Sequence, residues 1–252
     1  MISIRNISKS YGHTPVLRDI SLDIPSRKIT ALVGGNGAGK STLLSVISRL
    51  IKPDTGRIEI AGKDITAYKS QLLAQQLSIL KQSNHLNLQL TVRELVGFGR
   101  FPYSQGRLTP ADHAVIDEAI AFLDLTGIQH RYLGELSGGQ QQRAFLAMIV
   151  AQDTSCILLD EPLNNLDMKH SVQIMKTLRR LCDERGKTIV MVIHEINFAA
   201  AYADYIAVLK EESLQYFDQT GNIIDAGILK KVFDLEFDII LTKGKKFCNY
   251  FD

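Results

Sequence analysis

The sequence is poor in cysteine. Cys156, Cys182 and Cys248 lie far apart and form no CxxC pair. That spacing argues against a disulfide framework and against a zinc site, and fits free thiols in a reducing compartment. Charge of one sign is not in excess either: 29 Lys and Arg face 27 Asp and Glu, a net +2 over 252 residues. A nucleic-acid binder carries a strong basic excess, so no nucleic-acid partner is expected. No apolar run approaches the roughly 18 residues needed to span a bilayer. The longest, residues 188–193, suits a buried strand. Residues 1–23 alternate polar and apolar side chains, hold Arg5, Lys9 and Arg18, and lack the apolar segment of a signal peptide. A role at a membrane would therefore need another protein to hold the chain there. Internal repeats and low-complexity linkers are missing too. What remains is ordinary globular composition, 45% hydrophobic, enough for one large domain or a core with an insert and no structural metal.

The hydrophobic pattern changes period along the chain. Residues 2–8 and 21–25 alternate as strands with one buried face, and residues 29–33 are a short apolar run that stops at glycines, as a buried strand does before a loop. Leu43, Ile47 and Leu50 then fall at helical spacing, residues 53–56 read as a turn, and residues 57–60 as a strand closed by Gly62. From 84 to 150 the reading is helical, over 90–98, 111–125 and 140–150, divided by Gly99, Pro102, Gly106 and Pro110. Strands return at 156–159, 188–193 and 206–209, alternating with helices at 171–184 and 197–205. The alternation predicts an α/β fold with a mainly parallel sheet, helices on both faces and an N-terminal antiparallel β portion. On this reading residues 1–252 form a single domain. Residues 1–83 and 151–252 make the α/β core, and 84–150 make an inserted helical subdomain. Residues 229–252, with Phe233, Phe237, Ile239 and Ile240, are expected to dock on the core.

Between the strand 29–33 and the following helix lie Gly34, Gly35, Asn36, Gly37, Ala38, Gly39, Lys40 and Ser41, matching G-x-x-x-x-G-K-[ST] in the context that the motif requires. Small residues let successive backbone N–H groups turn toward phosphate oxygens, and the helix N-terminus adds partial positive charge. Lys40 supplies a full charge for β- and γ-phosphates, and the Ser41 hydroxyl is a ligand for Mg²⁺. The candidate nucleotide-binding set is Gly34 to Ser41 together with Thr42. Later, four apolar residues end in Asp160 and Glu161. A carboxylate at the C-terminal end of a parallel strand faces the phosphate crevice. Asp160 is then placed to hold Mg²⁺, and Glu161 to orient and activate the attacking water.

Leu136, Ser137, Gly138, Gly139 and Gln140 open another helix with a Ser cap, a second element able to bind an anion. Here the sequence resembles the ATP-binding subunits of ABC transporters, over nearly the whole chain and with the motifs in the family's order. The resemblance implies a P-loop NTPase core, ATP and Mg²⁺ as ligands, and a homodimer in the ATP-bound state. In that dimer Ser137, Gly138, Gly139, Gln140 and Asp167 of one copy meet the nucleotide held by the other. It also implies that Tyr11 stacks on adenine. Gln82 becomes the Q-loop glutamine near Mg²⁺ and water, although Gln75, Gln76 and Gln89 are nearby. His194 becomes the switch histidine at the γ-phosphate, and the catalytic set is Glu161, His194 and Gln82. Two positions depart from the family pattern: Gly35 replaces a common proline, and Asn164 and Asn165 precede Asp167 in the D-loop.

The stretch Gly99, Arg100, Phe101, Pro102, Tyr103 resembles one found in subunits serving ferric-siderophore, haem and cobalamin importers. The implied function is ATP hydrolysis energising uptake of an iron(III)-siderophore or related metal chelate, with other solutes or a soluble, non-transport ATPase as alternatives. The implied partners are two transmembrane permease subunits and, indirectly, a substrate-binding protein. The chain itself would touch no solute and would sit peripherally on the cytoplasmic face of the cell membrane.

Overall fold

The computed structural model describes residues 1–81, 89–242 and 244–251. The chain begins with β1 (Ile2–Tyr11), β2 (Thr14–Ile24), β3 (Ile29–Val33), α1 (Lys40–Ile47), β4 (Thr55–Ile60) and β5 (Lys63–Asp64). It continues through α2 (Ser70–Ala74), β6 (Leu77–Leu80), α3 (Val92–Phe98), α4 (Phe101–Ser104), α5 (Pro110–Phe122), α6 (Gly138–Ala151), β7 (Cys156–Asp160) and α7 (Met168–Arg185). It ends with β8 (Thr188–Val192), α8 (Ile196–Tyr202), β9 (Tyr205–Lys210), β10 (Ser213–Gln219), α9 (Thr220–Ile223), α10 (Ala226–Phe233), β11 (Asp238–Thr242) and β12 (Lys245–Asn249). Two compact units result, one of Met1–Tyr68 with Arg179–Asp252, the other of Lys69–Leu178.

The first unit holds the antiparallel sheet β2-β1-β4-β5 and the strand run β10-β9-β3-β8. In the antiparallel sheet, Ile2 pairs with Ile24, Ile4 with Leu22 and Ile7 with Ile20, and all six side chains are buried. Such Ile and Leu burial stabilises by about 1.5–3 kcal/mol per side chain. Strand β3 lies parallel to both β8 and β9, while β10 closes antiparallel on β9. All five residues of β3 and all five of β8 are buried, as expected of parallel strands covered on both faces. Helix α1 follows β3 and buries Leu43, Leu44, Val46 and Ile47. In the second unit β6 runs parallel to β7, and α3 to α6 form its helical part.

Some elements differ from expectation for identifiable reasons. The helix expected over 197–205 stops at Tyr202 and Tyr205 already belongs to β9. Between them the Asp204 carboxylate accepts the Ile29 N–H at 2.8 Å, which fixes extended backbone there. Helix α7 starts three residues before the expected 171, because Asp167 accepts the His170 N–H at 2.8 Å and caps it. The C-terminal segment does dock through Leu229, Phe237 and Cys248, but it closes as the hairpin β11–β12, which leaves Ile240 exposed.

Candidate active site

In the first unit the phosphate loop is shaped by contacts that exclude side chains. A Cβ on Gly34 would stand 2.0 Å from the Leu209 carbonyl oxygen of β9. At the other end of the loop Gly39, at φ 92°, leads into α1. That helix has no side-chain cap and no acidic residue in its first turn. Its N–H groups and partial positive charge therefore lie at the loop. Lys40 is buried, and its Nζ donates to the carbonyl oxygens of Gly34 at 2.9 Å and Gly35 at 2.8 Å. Gly35, Asn36 and Gly37 are exposed along the rim, and Ser41 and Thr42 are partly buried in the first turn. A buried ammonium, small residues and an uncapped helix start fit a polyphosphate.

Tyr11 ends β1 at the hairpin where it pairs with Thr14. The next strand of that hairpin lies against the loop, since a Cβ on Gly39 would meet the Val16 carbonyl oxygen at 2.6 Å. The Tyr11 ring is 50% exposed, with Lys9 Nζ 5.9 Å from its centroid. Lys9 is itself held by Asp54 at 2.7 Å. The hairpin thus presents an aromatic face on the same unit as the phosphate loop. His194 lies two residues beyond β8 and is exposed. The segment after it is held from the C-terminus: Asn197 Nδ2 donates to the Cys248 carbonyl, Cys248 N–H donates to Asn197 Oδ1, and Tyr250 Oη donates to the Glu195 carboxylate. No signal in the sequence linked residues 248–250 to His194.

The second unit carries the carboxylates and the signature. Asp160, the last residue of β7, is buried. Glu161 follows with φ 51°, a left-handed conformation that costs a side-chain-bearing residue about 1–2 kcal/mol. Asn164 returns to it, donating its N–H to the Glu161 carbonyl at 3.1 Å and its Nδ2 to Glu161 Oε2 at 3.4 Å. Asn165 has φ 59°, in the region that Asn tolerates well. The two asparagines that depart from the family pattern thus suit this turn. Ser137 caps α6: its Oγ accepts the Gln140 N–H, and Gln140 Oε1 accepts the Ser137 N–H at 3.0 Å, a reciprocal capping box. Ser137 and Gly138 are exposed, whereas Gly139 is buried. Gln82 lies outside the described residues.

The stretch 99–103 has a structural reason of its own. Arg100 and Asp112 are both buried and pair at 2.9 Å, and Arg100 Nη1 donates to the Ala151 carbonyl. Its guanidinium stands 4.0 Å from the Tyr103 ring centroid. The Pro102 carbonyl accepts amides from both Gln71 and Gln75, and Tyr103 Oη donates to the Gln152 carbonyl. The Thr109 backbone N–H, then the Thr109 hydroxyl and Arg100, hold the Asp112 carboxyl down to about 2. A depressed folded-state pKa contributes stability above the ordinary carboxylate range, and this is lost as the pH falls through about 2. Arg100→Leu removes the cationic partner of a buried carboxylate that keeps its Thr109 hydrogen bonds, and is expected to cost about 1.5–3 kcal/mol in denaturant unfolding. A single variant as stable as the wild type would contradict the pairing.

Residues 17–164 match the family model described as ABC transporter. The petrobactin import ATP-binding protein YclP of Bacillus subtilis (strain 168) is 53% identical over 251 residues, covering 100% of both chains. The petrobactin import ATP-binding protein FatE of Bacillus anthracis is 49% identical, covering 95% of this chain and 96% of that one. Among solved structures, the dimeric structure of MJ0796, a bacterial ABC transporter cassette, superposes with a TM-score of 0.77 at 30% identity, over 87% of this chain and 99% of that one. A second structure of that cassette, 29% identical with the same TM-score and coverage, is a post-hydrolysis state bound to ADP and Pi. This chain belongs to the ABC transporter family, as one of its ATP-binding, ATP-hydrolysing subunits.

Proposed function

We propose that the chain energises import of a ferric siderophore of the petrobactin class through separate transmembrane permease subunits. The observation that carries the reading is end-to-end similarity to two petrobactin import ATP-binding proteins, at 53% and 49% identity. Residues 1–83 and 151–252 serve as the α/β core, and 84–150 as the helical insert that carries the signature. Two copies associate head to tail around ATP, in keeping with the dimeric relative. Tyr11 stacks on adenine, and Gly34 to Thr42 hold the phosphates. Ser137, Gly138, Gly139, Gln140 and Asp167 approach the same nucleotide from the second copy. Mg²⁺, when bound, supplies charge neutralisation at the β- and γ-phosphates. The donors proposed for it, Ser41, Asp160 and Gln82, are oxygen-bearing side chains of the kind that ion prefers. Glu161 accepts the proton of the attacking water, while His194 and Gln82 hold its geometry. Loss of the γ-phosphate removes contacts that favour the closed pair, which then opens.

Among the described residues no helix is long and apolar enough to cross a membrane. Attachment at the cytoplasmic face is therefore assigned to the permease subunits. The surface proposed to receive them is a groove of about 670 Å³ in the helical unit, lined by Phe98, Phe101, Leu108, Arg93 and Glu94. Phe98 and Phe101 are each more than half exposed there. A coupling segment of mixed apolar and charged character would suit it. The solute touches none of these residues, and a substrate-binding protein acts on them only through the permease.

The test is reconstitution of the chain with its permease in proteoliposomes. Ferric petrobactin on its binding protein is expected to raise ATP turnover, and haem or cobalamin to leave it unchanged. Stimulation by haem or cobalamin alone would reassign the cargo, and failure to copurify with any permease would favour a soluble role.

A further inference from the structure

Three contacts join the start of α6 to the turn after β7 and the first turn of α7, and two of them, through Gln142 and His170, involve side chains outside every motif. Gln142 Nε2 donates to the Pro162 carbonyl at 2.9 Å. Gly138 faces the Asn165 carbonyl, which would lie 4.0 Å from a Cβ at that position. Gly139 lies directly against the His170 ring. A Cβ there would stand 2.7 Å from Cδ2, 2.8 Å from Cγ and 3.1 Å from Nε2. The ring is fixed from its other edge as well. Asp167 Oδ1 lies 2.8 Å from His170 Nδ1 and 2.8 Å from the His170 backbone nitrogen. The His170 backbone N–H draws the Asp167 carboxyl below its usual range, and the carboxylate is the acceptor at Oδ1. Nδ1 therefore carries the proton in this pair. Since Asp167 also caps the 18-residue α7, the ring's anchor belongs to a long helix and not to a loose loop.

We propose that His170 is a positioning residue for ATP hydrolysis: wedged between Gly139 and Asp167, its imidazole fixes the signature turn and the D-loop as one block that a second copy's nucleotide meets. The proposal rests on the composite-site reading above. It accounts for a small residue at 139 by steric necessity, in addition to any approach by phosphate. It also gives Asp167 two tasks, capping α7 and orienting the ring. Without the ring, the Gln142 amide and the Gly138 approach remain between the two segments. Their relative placement then fluctuates, while the phosphate loop in the first unit is untouched.

The experiment compares His170→Ala, His170→Asn and His170→Gln. Asn places an amide where Nδ1 stood and can still donate to Asp167; Gln places it one bond further out. In otherwise wild-type protein, His170→Ala is expected to lower kcat about tenfold, with binding of a fluorescent ATP analogue to dilute monomer within about twofold of normal. In a Glu161→Gln background it should raise the ATP concentration for half-dimerisation about tenfold. His170→Asn should recover to within about threefold and His170→Gln should not. If the alanine variant does not fold, the Asn and Gln pair decides, being equal in charge. Equal behaviour of Asn and Gln, or unchanged kcat and dimerisation in the alanine variant, overturns the proposal. So does a parallel loss of monomer ATP affinity. Glu161→Gln with His170 intact that stays monomeric in ATP and Mg²⁺ removes the composite-site reading, and the proposal with it. Dimerisation of that single variant with no effect of His170 overturns the proposal alone.

Discussion

Glu161→Gln is expected to lower ATP turnover about 10²–10⁴-fold while ATP binding survives, and to accumulate as an ATP-bound dimer. The amide is nearly the same size as the carboxylate and can still accept the Asn164 Nδ2 hydrogen bond at its oxygen. What it cannot do is take a proton from water. The left-handed backbone at Glu161, braced by the N–H of Asn164, is retained because it depends on the turn and not on the charge. Strain of this kind persists where the surroundings over-determine it, and it aims the side chain away from the path that a continuing strand would impose. Binding without turnover follows, because the phosphate loop belongs to other residues. Gel filtration in ATP and Mg²⁺ reads the dimer, and phosphate release reads the turnover. Turnover within a fewfold of wild type would remove Glu161 from the role of base.

Lys40→Ala is expected to reduce turnover to background, a loss of at least about 10²–10³-fold, and to weaken ATP binding about 10–100-fold. Lys40 is a buried cation whose Nζ is turned onto two loop carbonyls, within the curve that a polyphosphate would occupy. Alanine keeps helix propensity at the first position of α1, so the fold should survive. The loss is then one of charge at the phosphates and not of the loop. Isothermal titration with ATP and a melting curve separate the two. Substantial ATPase activity in a folded Lys40→Ala protein would contradict the assignment of the loop.

The glycine-rich loop before α1 and the capped start of α6 were legible because their pattern is local. Consecutive residues supply the glycines, the lysine and the cap, and the strand or helix on either side is announced by hydrophobic period. The fully buried strands β3, β7 and β8 were legible for the same reason. Elements whose edges are set by distant partners were not. Strand β2 begins at Thr14, seven residues before the alternation at 21–25 becomes visible, because pairing with β1 and not burial defines its first half. The hairpin β11–β12 carries Ile239 and Ile240 on opposite faces, so no period emerges from it. His170 carried one readable sign, its position three residues after an acidic helix cap, but its packing on Gly139 comes from residues 31 apart. The stretch 99–103 resembles importer subunits, and its Arg100, Pro102 and Tyr103 also have tasks within the helical unit.

Uptake of radio-iron as ferric petrobactin, measured in cells that lack this gene and carry either the wild-type or the Glu161→Gln copy, tests most directly the claim that ATP hydrolysis here drives siderophore import. The account predicts that uptake is lost in the deletion and returns only with the wild-type copy. Unchanged uptake in the deletion, or rescue by Glu161→Gln, would contradict it.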